Sequence, residues 1–318
     1  MALYLITGIA GFIGSSLARA VLAQGERVRG IDNFSTGKRE NLDEILGQID
    51  FREADLADLD ALHDASRGVD YIFHEAAIPS VPKSVLDPLG SNRANIDGTV
   101  HLLVAARDAK VKRVVYAASS SAYGDTPTLP KHEAMMPNPI SPYAVGKLAG
   151  EYYMSSFYRC YGLETVSLRY FNIFGPRQDP TSPYSGVLAK FITQMLDDQQ
   201  PTIFGDGTQS RDFTYIDNVV HANLLAAKAP ASEVAGQVFN VATAARSDLN
   251  QTFELLKKII GYGGGVGYEP ERAGDVKHSL ADLSRSQKHL GYRPQIHFEE
   301  GLRHTVDWYR RQLKAAGV

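Results

Sequence analysis

Short strand-like segments and longer amphipathic stretches alternate along the first half of the chain. The short segments lie at residues 3–6, 27–31, 49–54, 71–74, 113–118 and 164–169, and the first of them is wholly apolar. They predict strands, whereas the intervening segments, with apolar residues every three or four positions, predict helices. Regular alternation of the two predicts an α/β fold with a doubly wound parallel sheet.

The pattern changes after Tyr170, where the elements become shorter and turn residues more frequent. Helices are predicted over residues 187–196, from Asp217, from Leu249 and over residues 299–313. We therefore divide the chain into a first domain, residues 1–170, and a smaller α/β substrate-binding lobe, residues 171–318, parts of which return to the first domain. Open parallel sheets bind ligands at the carboxyl ends of their strands, so the lobe is expected to cover that edge.

Composition excludes several classes of protein. The 318 residues are 44% hydrophobic and carry a net charge of −3, which gives no reason to expect a nucleic acid or a membrane surface as partner. No run reaches the roughly eighteen apolar residues of a transmembrane helix, and the start lacks a basic signal region, so the protein is expected to be cytoplasmic. Cys160 is the one cysteine, which excludes an internal disulfide and a thiolate metal cluster. No metal is expected, and Cys160 is predicted to be packed in a helix.

A glycine-rich turn, residues 7–14, separates the first predicted strand from the first helix. Gly8, Gly11 and Gly14 would allow a sharp turn, close approach to a pyrophosphate at the helix N-terminus, and close packing of helix on strand. The spacing differs from G-x-G-x-x-G and is weak evidence alone. Asp32 ends the second strand, where a carboxylate would bind the ribose 2′-hydroxyl of NAD and disfavour NADP. The alternative for Asp32 is a turn residue, because Asn33 follows it.

Other strand ends carry residues that could face a ligand. Asp55-Leu56 follows the third predicted strand, and the small residue Ala76 lies just beyond the fourth. Hydroxyl groups end the fifth strand, in the run Ser119-Ser120-Ser121. They would either meet an oxygen of a substrate or bond to their own backbone.

A tyrosine and a lysine are predicted to share one face of a helix. Ser141 and Pro142 suit its N-cap and first position, which places Tyr143 in the first turn and Lys147 one turn further along. An ammonium group and a helix N-terminus both favour a phenolate, so we expect a lowered pKa for Tyr143 and a role as general base. Taken alone, Tyr-x-x-x-Lys could equally be a chance pair on a surface helix.

Together these motifs resemble the extended short-chain dehydrogenase/reductase superfamily, whose fold is the doubly wound parallel (Rossmann) sheet. Within it, the segments 168–172, 205–207, 210–213 and 215–217 resemble the UDP-hexose 4-epimerases, and most of all the UDP-N-acetylglucosamine 4-epimerases. The likeness covers essentially the whole chain. A homodimer through the helix from Tyr143 and the one predicted over residues 92–110 would also resemble the family.

The resemblance implies an epimerase with tightly bound NAD. Tyr143 would take the proton of the sugar 4-hydroxyl while the C4 hydride passes to NAD⁺, Ser119 would bond the same oxygen, and Lys147 would hold the cofactor ribose. The 4-keto sugar would turn over and take the hydride back on its other face. The implied cofactor contacts are Gly8, Gly11, Phe12, Ile13, Gly14, Asp32, Asn33, Asp55, Leu56, Ala76, Tyr143, Lys147 and Tyr170.

The resemblance also implies a UDP-sugar site. Its members would be Ser120, Ser121, Asn172, Gln178, Gly186, Arg211, Arg272, Asp275 and Ser279. In the epimerases a residue shortly after a Gly-Asp pair gates the space for the sugar's 2-substituent, and here Gly274-Asp275 places Ser279 at the gate. A small gate implies UDP-N-acetylglucosamine and UDP-N-acetylgalactosamine as substrates, with UDP-glucose and UDP-galactose also possible. Alternatively, Ser279 is simply a small loop residue, and Arg211 and Arg272 are charged side chains in solvent.

Two related activities do not fit the sequence. A nucleotide-sugar 4,6-dehydratase would carry an acidic pair at the places of Ser120 and Ser121, and a UDP-glucuronate decarboxylase would carry a glutamate in this segment.

Three alternatives stay open. The chain could be a UDP-glucuronate 4-epimerase, or a nucleotide-sugar reductase, which should need added NAD(P)H. It could also be a non-catalytic NAD-binding protein, for which intact Ser119, Tyr143 and Lys147 would be unnecessary.

Overall fold

A computed structural model describes residues 1–180, 186–271 and 277–315 of the chain. The strands are β1 (Leu3–Thr7), β2 (Arg27–Asp32), β3 (Asp50–Glu53), β4 (Tyr71–His74), β5 (Arg113–Ser119), β6 (Glu164–Tyr170), β7 (Ile173–Phe174), β8 (Thr202–Phe204), β9 (Ser210–Arg211), β10 (Thr214–Tyr215), β11 (Gln237–Val241), β12 (Ser247–Asp248) and β13 (Gly267–Glu269). The α-helices are α1 (Phe12–Ala23), α2 (Leu59–Ser66), α3 (Val81–Leu86), α4 (Pro88–Asn92), α5 (Gly98–Asp108), α6 (Pro142–Tyr161), α7 (Val187–Leu196), α8 (Ile216–Lys228), α9 (Ala231–Val234), α10 (Leu249–Ile260), α11 (Ser284–Leu290) and α12 (Phe298–Ala315).

Seven strands form one parallel sheet in the order β11-β6-β5-β4-β1-β2-β3. The chain adds β2 and β3 on one side of β1 and then returns to place β4 on the other side. The carboxyl ends of β1 and β4 therefore flank the crevice at which open parallel sheets bind ligands. The seventh strand, β11, comes from the second half of the chain.

Two apolar layers cover the sheet. The cluster on one face joins residues of α1 and α8, such as Leu17, Val21 and Val219. The cluster on the other face joins residues of α2, α5 and α6, such as Leu62, Leu102 and Met154. Burial of both faces explains why the central strand β1 is a continuous apolar run, all five residues of which are buried, whereas the edge strand β3 carries three charged residues.

The structure confirms the predicted fold class and all six predicted strands. The helices predicted over 187–196, from Leu249 and over 299–313 correspond to α7, α10 and α12. None of the helices in the described ranges is both long enough and apolar enough to cross a membrane.

The helix predicted over residues 92–110 forms, but it is not one regular α-helix. After α4 ends at Asn92, a π-helical turn at Arg93–Asp97 leads into α5. The wide turn places buried Asn95 against Ile78, whose backbone N–H donates to Asn95 Oδ1 at 2.8 Å and whose carbonyl accepts from Asn95 Nδ2 at 3.3 Å. Cys160, predicted to be packed, is exposed on α6 because it lies on the outer face of that helix.

Candidate active site

The end of β5 and the start of α6 bring Ser119 and Tyr143 together. Ser141 caps α6, since its Oγ accepts from the Ala144 N–H at 3.2 Å, and Pro142 takes the first helical position. Tyr143, in the first turn, shares a side-chain hydrogen bond with Ser119. The two residues predicted to act on one substrate oxygen are thus in contact.

Lys147 lies one turn further along α6, buried against β5. Its Nζ donates to the carbonyl oxygen of Ala117 at 2.7 Å and stands 5.0 Å above the ring of Tyr116. Gly150 allows this close approach of helix to sheet, because a Cβ there would overlap the Tyr116 side chain. The side chain of Lys147 is therefore held at the end of the strand that carries Ser119.

The ionisation of Tyr143 differs from the expectation. Burial raises the pKa of this phenol, and the hydrogen bond with Ser119 is the contact that opposes the rise. The helix N-terminus and Lys147 both favour the phenolate, but the sequence does not show the burial that opposes them. A buried phenol without full compensation prefers its neutral form.

The three serines take different positions. Ser119 Oγ accepts from the backbone N–H of Ser121 at 3.2 Å and from the Ser121 hydroxyl at 2.8 Å. Because its oxygen is supplied with two donors, the proton of Ser119 is free to turn toward Tyr143 or a substrate oxygen. Ser120 starts the short 3-10 helix Ser120–Tyr123.

The glycine turn is shaped to hold a pyrophosphate. Gly8 has a φ of 66°, and a Cβ on it would lie 2.8 Å from the Cα of Ala76. A Cβ on Gly14 would overlap the carbonyl oxygen of Gly8. Gly11, the N-cap of α1, offers no side chain to the first-turn N–H groups, which remain available to a phosphate. The crevice thus fits a dinucleotide at the edge where the strand order reverses.

Asp32 lies at the end of β2 beside this turn. Its Oδ2 accepts from the Ala10 N–H at 2.9 Å and its Oδ1 from the Phe34 N–H at 2.8 Å. Burial raises its pKa, and these backbone bonds oppose the rise. Asn33 donates to Asp55 at 2.5 Å, so the predicted residues at the ends of β2 and β3 form one group. Leu56 adjoins it in sequence.

A buried hydrogen-bond chain that sequence reasoning missed supports the cofactor crevice. Thr99 Oγ1 donates to the Asn95 carbonyl at 2.8 Å, so at 2.9 Å it accepts from His74 Nε2–H. His74 Nδ1 then accepts from the Thr7 hydroxyl at 2.8 Å, and Thr7 Oγ1 accepts from the Ala76 N–H at 3.2 Å. Burial lowers the pKa of His74 to about 3, so the ring is neutral. The chain joins the residue before Gly8 to Ala76.

Glu75 is a second residue that sequence reasoning missed. It follows β4, and its Oε1 accepts from the Tyr170 hydroxyl at 2.9 Å. Asn223 donates to the same phenol oxygen at 2.8 Å. Tyr170, predicted to contact the cofactor, is therefore fixed by two side chains. The sequence signal was an acidic residue directly after an apolar strand.

Several predicted substrate residues also lie together. Asn172 Nδ2 donates to Ser279 Oγ at 3.0 Å, and the Asp212 N–H donates to the same oxygen at 3.2 Å. A Cβ on Gly186 would meet the amide nitrogen of Gln178 at 3.2 Å. The guanidinium of Arg211 donates to backbone carbonyls, including that of residue 277 at 2.9 Å. Arg272 and Asp275 lie outside the described residues.

Comparison with known proteins identifies the family. Residues 4–242 match the model of the NAD dependent epimerase/dehydratase family. The chain belongs to this family. NAD, the predicted cofactor, is confirmed with it, and so is the resemblance to the UDP-hexose 4-epimerases. Among the described residues, no group of three or more histidine, cysteine or acidic side chains could hold a metal ion.

Three relatives indicate which branch of the family the chain resembles. UDP-glucose 4-epimerase of Mycolicibacterium smegmatis is 39% identical over 97% of this chain and 98% of its own. The structure of UDP-glucose 4-epimerase from Thermotoga maritima with UDP-glucose has a TM-score of 0.93 at 39% identity, covering 98% of this chain and 99% of that one. The UDP-N-acetylglucosamine 4-epimerase of Methanobrevibacter ruminantium M1, in complex with UDP-N-acetylmuramic acid, has a TM-score of 0.92 at 41% identity, with the same coverage.

Proposed function

We propose that the chain is a UDP-sugar 4-epimerase that interconverts UDP-N-acetylglucosamine and UDP-N-acetylgalactosamine. The observation that carries the epimerase assignment is the contact of Tyr143 with Ser119 at the end of β5, with Lys147 one turn further along α6. Nothing acidic stands at positions 120 and 121, where the related dehydratases carry an acid and base. The relatives named above are described as UDP-sugar 4-epimerases, and the Thermotoga maritima structure contains UDP-glucose, which agrees with this assignment.

The residues of the chain would divide the chemistry as follows. Ser119 orients the 4-hydroxyl of the sugar, and Tyr143 as phenolate takes its proton. Bound NAD would supply a reversible acceptor for the C4 hydride. The glycine turn and Asp32 would hold the pyrophosphate and a ribose of NAD, and Lys147 the other ribose. Tyr143 then gives the proton back once the keto sugar has turned over, so no cofactor is consumed.

The preference for N-acetylated sugars rests on small residues around the sugar site. Ser279 is 9% exposed, and its oxygen is held by Asn172 and by the backbone of Asp212, which fixes a small side chain at the proposed gate. Gly186 stands beside Gln178. We propose that residues 171–318 form the lobe that holds UDP, with Asn172, Gln178 and Arg211 among its contacts.

Coupled assays with each UDP-sugar pair test the substrate. Turnover of UDP-N-acetylgalactosamine should at least equal that of UDP-galactose, with NAD carried through purification and no added NAD(P)H. A much higher rate with UDP-galactose or UDP-glucuronate removes the N-acetyl preference but leaves the epimerase. A requirement for added NAD(P)H would instead indicate a reductase. Mass spectrometry of the denatured protein should find NAD.

We further propose that two copies pair through the outer face of α3, α4 and α6. Leu89 is 72% exposed and Val145 48%, and both line an apolar groove together with Ile96 and Ile140. Leu86, at the end of α3, is 79% exposed. A second copy would bury this surface. Light scattering should give twice the 34.8 kDa mass of the chain, and Leu89→Glu should give a monomer. Leu46→Glu, at a residue 49% exposed outside the groove, should leave the mass unchanged. A monomeric wild type contradicts the proposal.

A further inference from the structure

Glu75 is a buried carboxylate for which the mechanism above has no use. Its Oε1 accepts from the Tyr170 hydroxyl at 2.9 Å, but its Oε2 is shielded from solvent and has no hydrogen-bond partner among the described residues. No ion pair in the described part of the chain includes Glu75. An acceptor left in this state costs free energy unless a nearby charge compensates for it.

The compensating charge is that of Lys147, whose Nζ donates to the carbonyl oxygen of Ala117 on β5. The register of β4 with β5 pairs His74 with Tyr116, the residues directly before Glu75 and Ala117, so Glu75 leaves β4 beside the strand end that holds the ammonium group. Lys147 is 4% exposed, and the two carboxylates whose charges act on it are Glu75 and Glu151. Glu151 is already engaged, because it forms an ion pair with Arg169 at 2.7 Å. Glu75 is therefore the one carboxylate of the two that has no counter-charge of its own.

The other groups near this pair are neutral. The phenols of Tyr116 and Tyr170 have pKa values raised well above the ordinary value by burial, so both keep their protons. The pKa of His74 is lowered by burial, with a contribution from the charge of Lys147, so its ring is uncharged. Of the charges that act on Lys147, this leaves Glu75 and the compensated Glu151–Arg169 pair.

We propose that Glu75 is a positioning residue that acts through Lys147: its carboxylate keeps Lys147 in the ammonium form beside Tyr143. This rests on the roles proposed above for Tyr143 and Lys147. Burial lowers the pKa of Lys147 and raises that of Glu75, while each charge favours the other. Without the carboxylate of Glu75, Glu151 would be the main negative charge left to keep Lys147 protonated, and Arg169 already neutralises Glu151.

The test is Glu75→Gln in the NAD-containing enzyme. Glutamine keeps the size and can still accept from Tyr170, but it removes the charge. Lys147 lies one turn from Tyr143 on α6, so a neutral Lys147 would favour the phenolate less than an ammonium group does, and kcat/KM should begin to fall at a pH lower by about 1 unit at the alkaline end of the profile. Nitrogen-15 NMR of lysine side chains should show Lys147 losing its proton at correspondingly lower pH. The NAD content should stay as in the wild type.

Glu133→Gln is the matched control. Glu133 is partly buried, accepts from the Asn240 N–H at 2.7 Å and is not among the charges that act on Lys147, so its variant should keep the wild-type profile. An unchanged Lys147 titration in Glu75→Gln overturns the proposal, as does loss of NAD without a change in that titration. If Tyr143→Phe keeps full turnover, the proposed function fails, while the Lys147 titration still decides the role of Glu75.

Discussion

Arg169 and Glu151 form a two-point ion pair beneath the candidate active site. Arg169 Nε donates to Oε1 at 2.9 Å and Nη2 to Oε2 at 2.7 Å, and the two side chains are only 4% and 2% exposed. Glu151 lies one turn beyond Lys147 on α6, and Arg169 precedes Tyr170 on β6. The pair joins the helix that carries Tyr143 to the strand beneath it.

Removing one partner of this pair should destabilise the fold. Glu151→Leu leaves the guanidinium buried without a counter-charge, and we expect the free energy of unfolding to fall by about 3–5 kcal/mol. Denaturant titration followed by circular dichroism measures it. The double variant Glu151→Leu/Arg169→Leu should lose less than the sum of the two single variants. Additive losses would mean that the two charges do not depend on each other.

Tyr143→Phe should abolish most of the turnover without loss of the fold. The variant removes the phenol oxygen alone, and loss of a general base lowers kcat by at least ~10²-fold. Steady-state assays and the NAD content of the purified variant provide the measurement. Tyr152→Phe, on the same helix at a residue 61% exposed, should leave kcat unchanged. Near wild-type turnover in Tyr143→Phe would mean that another group takes the proton.

Gly14→Ala should weaken cofactor binding. Its Cβ would overlap the Gly8 carbonyl and approach Ile9 Cα at 2.9 Å, both backbone atoms that cannot move aside without displacing the turn. We expect a loss of stability of about 1–3 kcal/mol and a reduced NAD content, measured by thermal unfolding and by the NAD released on denaturation. Gly47→Ala is the control, because nothing lies within 4 Å of its Cβ. Equal behaviour of the two variants would show that the turn is more adaptable than its contacts indicate.

His74 should make the protein less stable in acid. Its pKa falls from the ordinary 6.5 to about 3 on burial, so between these values the unfolded chain binds a proton that the folded chain does not. Stability therefore rises with pH across this window and is lost as pH falls through it, by up to about 1.4 kcal/mol per unit. His74→Gln should reduce this slope in denaturant titrations at several pH values. His132→Gln, at an exposed histidine, should not; equal slopes in all three proteins would exclude His74 as the source.

Much of the fold and part of the site could be predicted because their signals are local. The six predicted strands are short segments separated by turn residues, the glycine turn is contiguous, and Tyr143 and Lys147 are four residues apart on one helix. Strand ends in a parallel sheet share one edge, which explains why Ser119 could be placed at the ligand-binding edge, whereas its pairing with Tyr143 was implied by the family resemblance.

The remainder depends on contacts between distant parts of the chain. The bonds of His74 to Thr7 and Thr99 span 67 and 25 residues, and the bond of Tyr170 to Glu75 spans 95. No spacing rule indicates which side chains such contacts will join. The raised pKa of Tyr143 has the same origin, since burial is a property of the packed structure and not of the helix that carries the residue.

The absence of a side chain at Gly150 limits how this enzyme can change. Any substitution there would push α6 outward from Tyr116, and the displacement would carry Tyr143 and Lys147 with it although neither residue had been altered. A variant that keeps every reacting group could therefore lose turnover because the distance between α6 and β5 has changed. Designers who transfer Tyr143 and Lys147 to another scaffold must reproduce that distance as well as the residues.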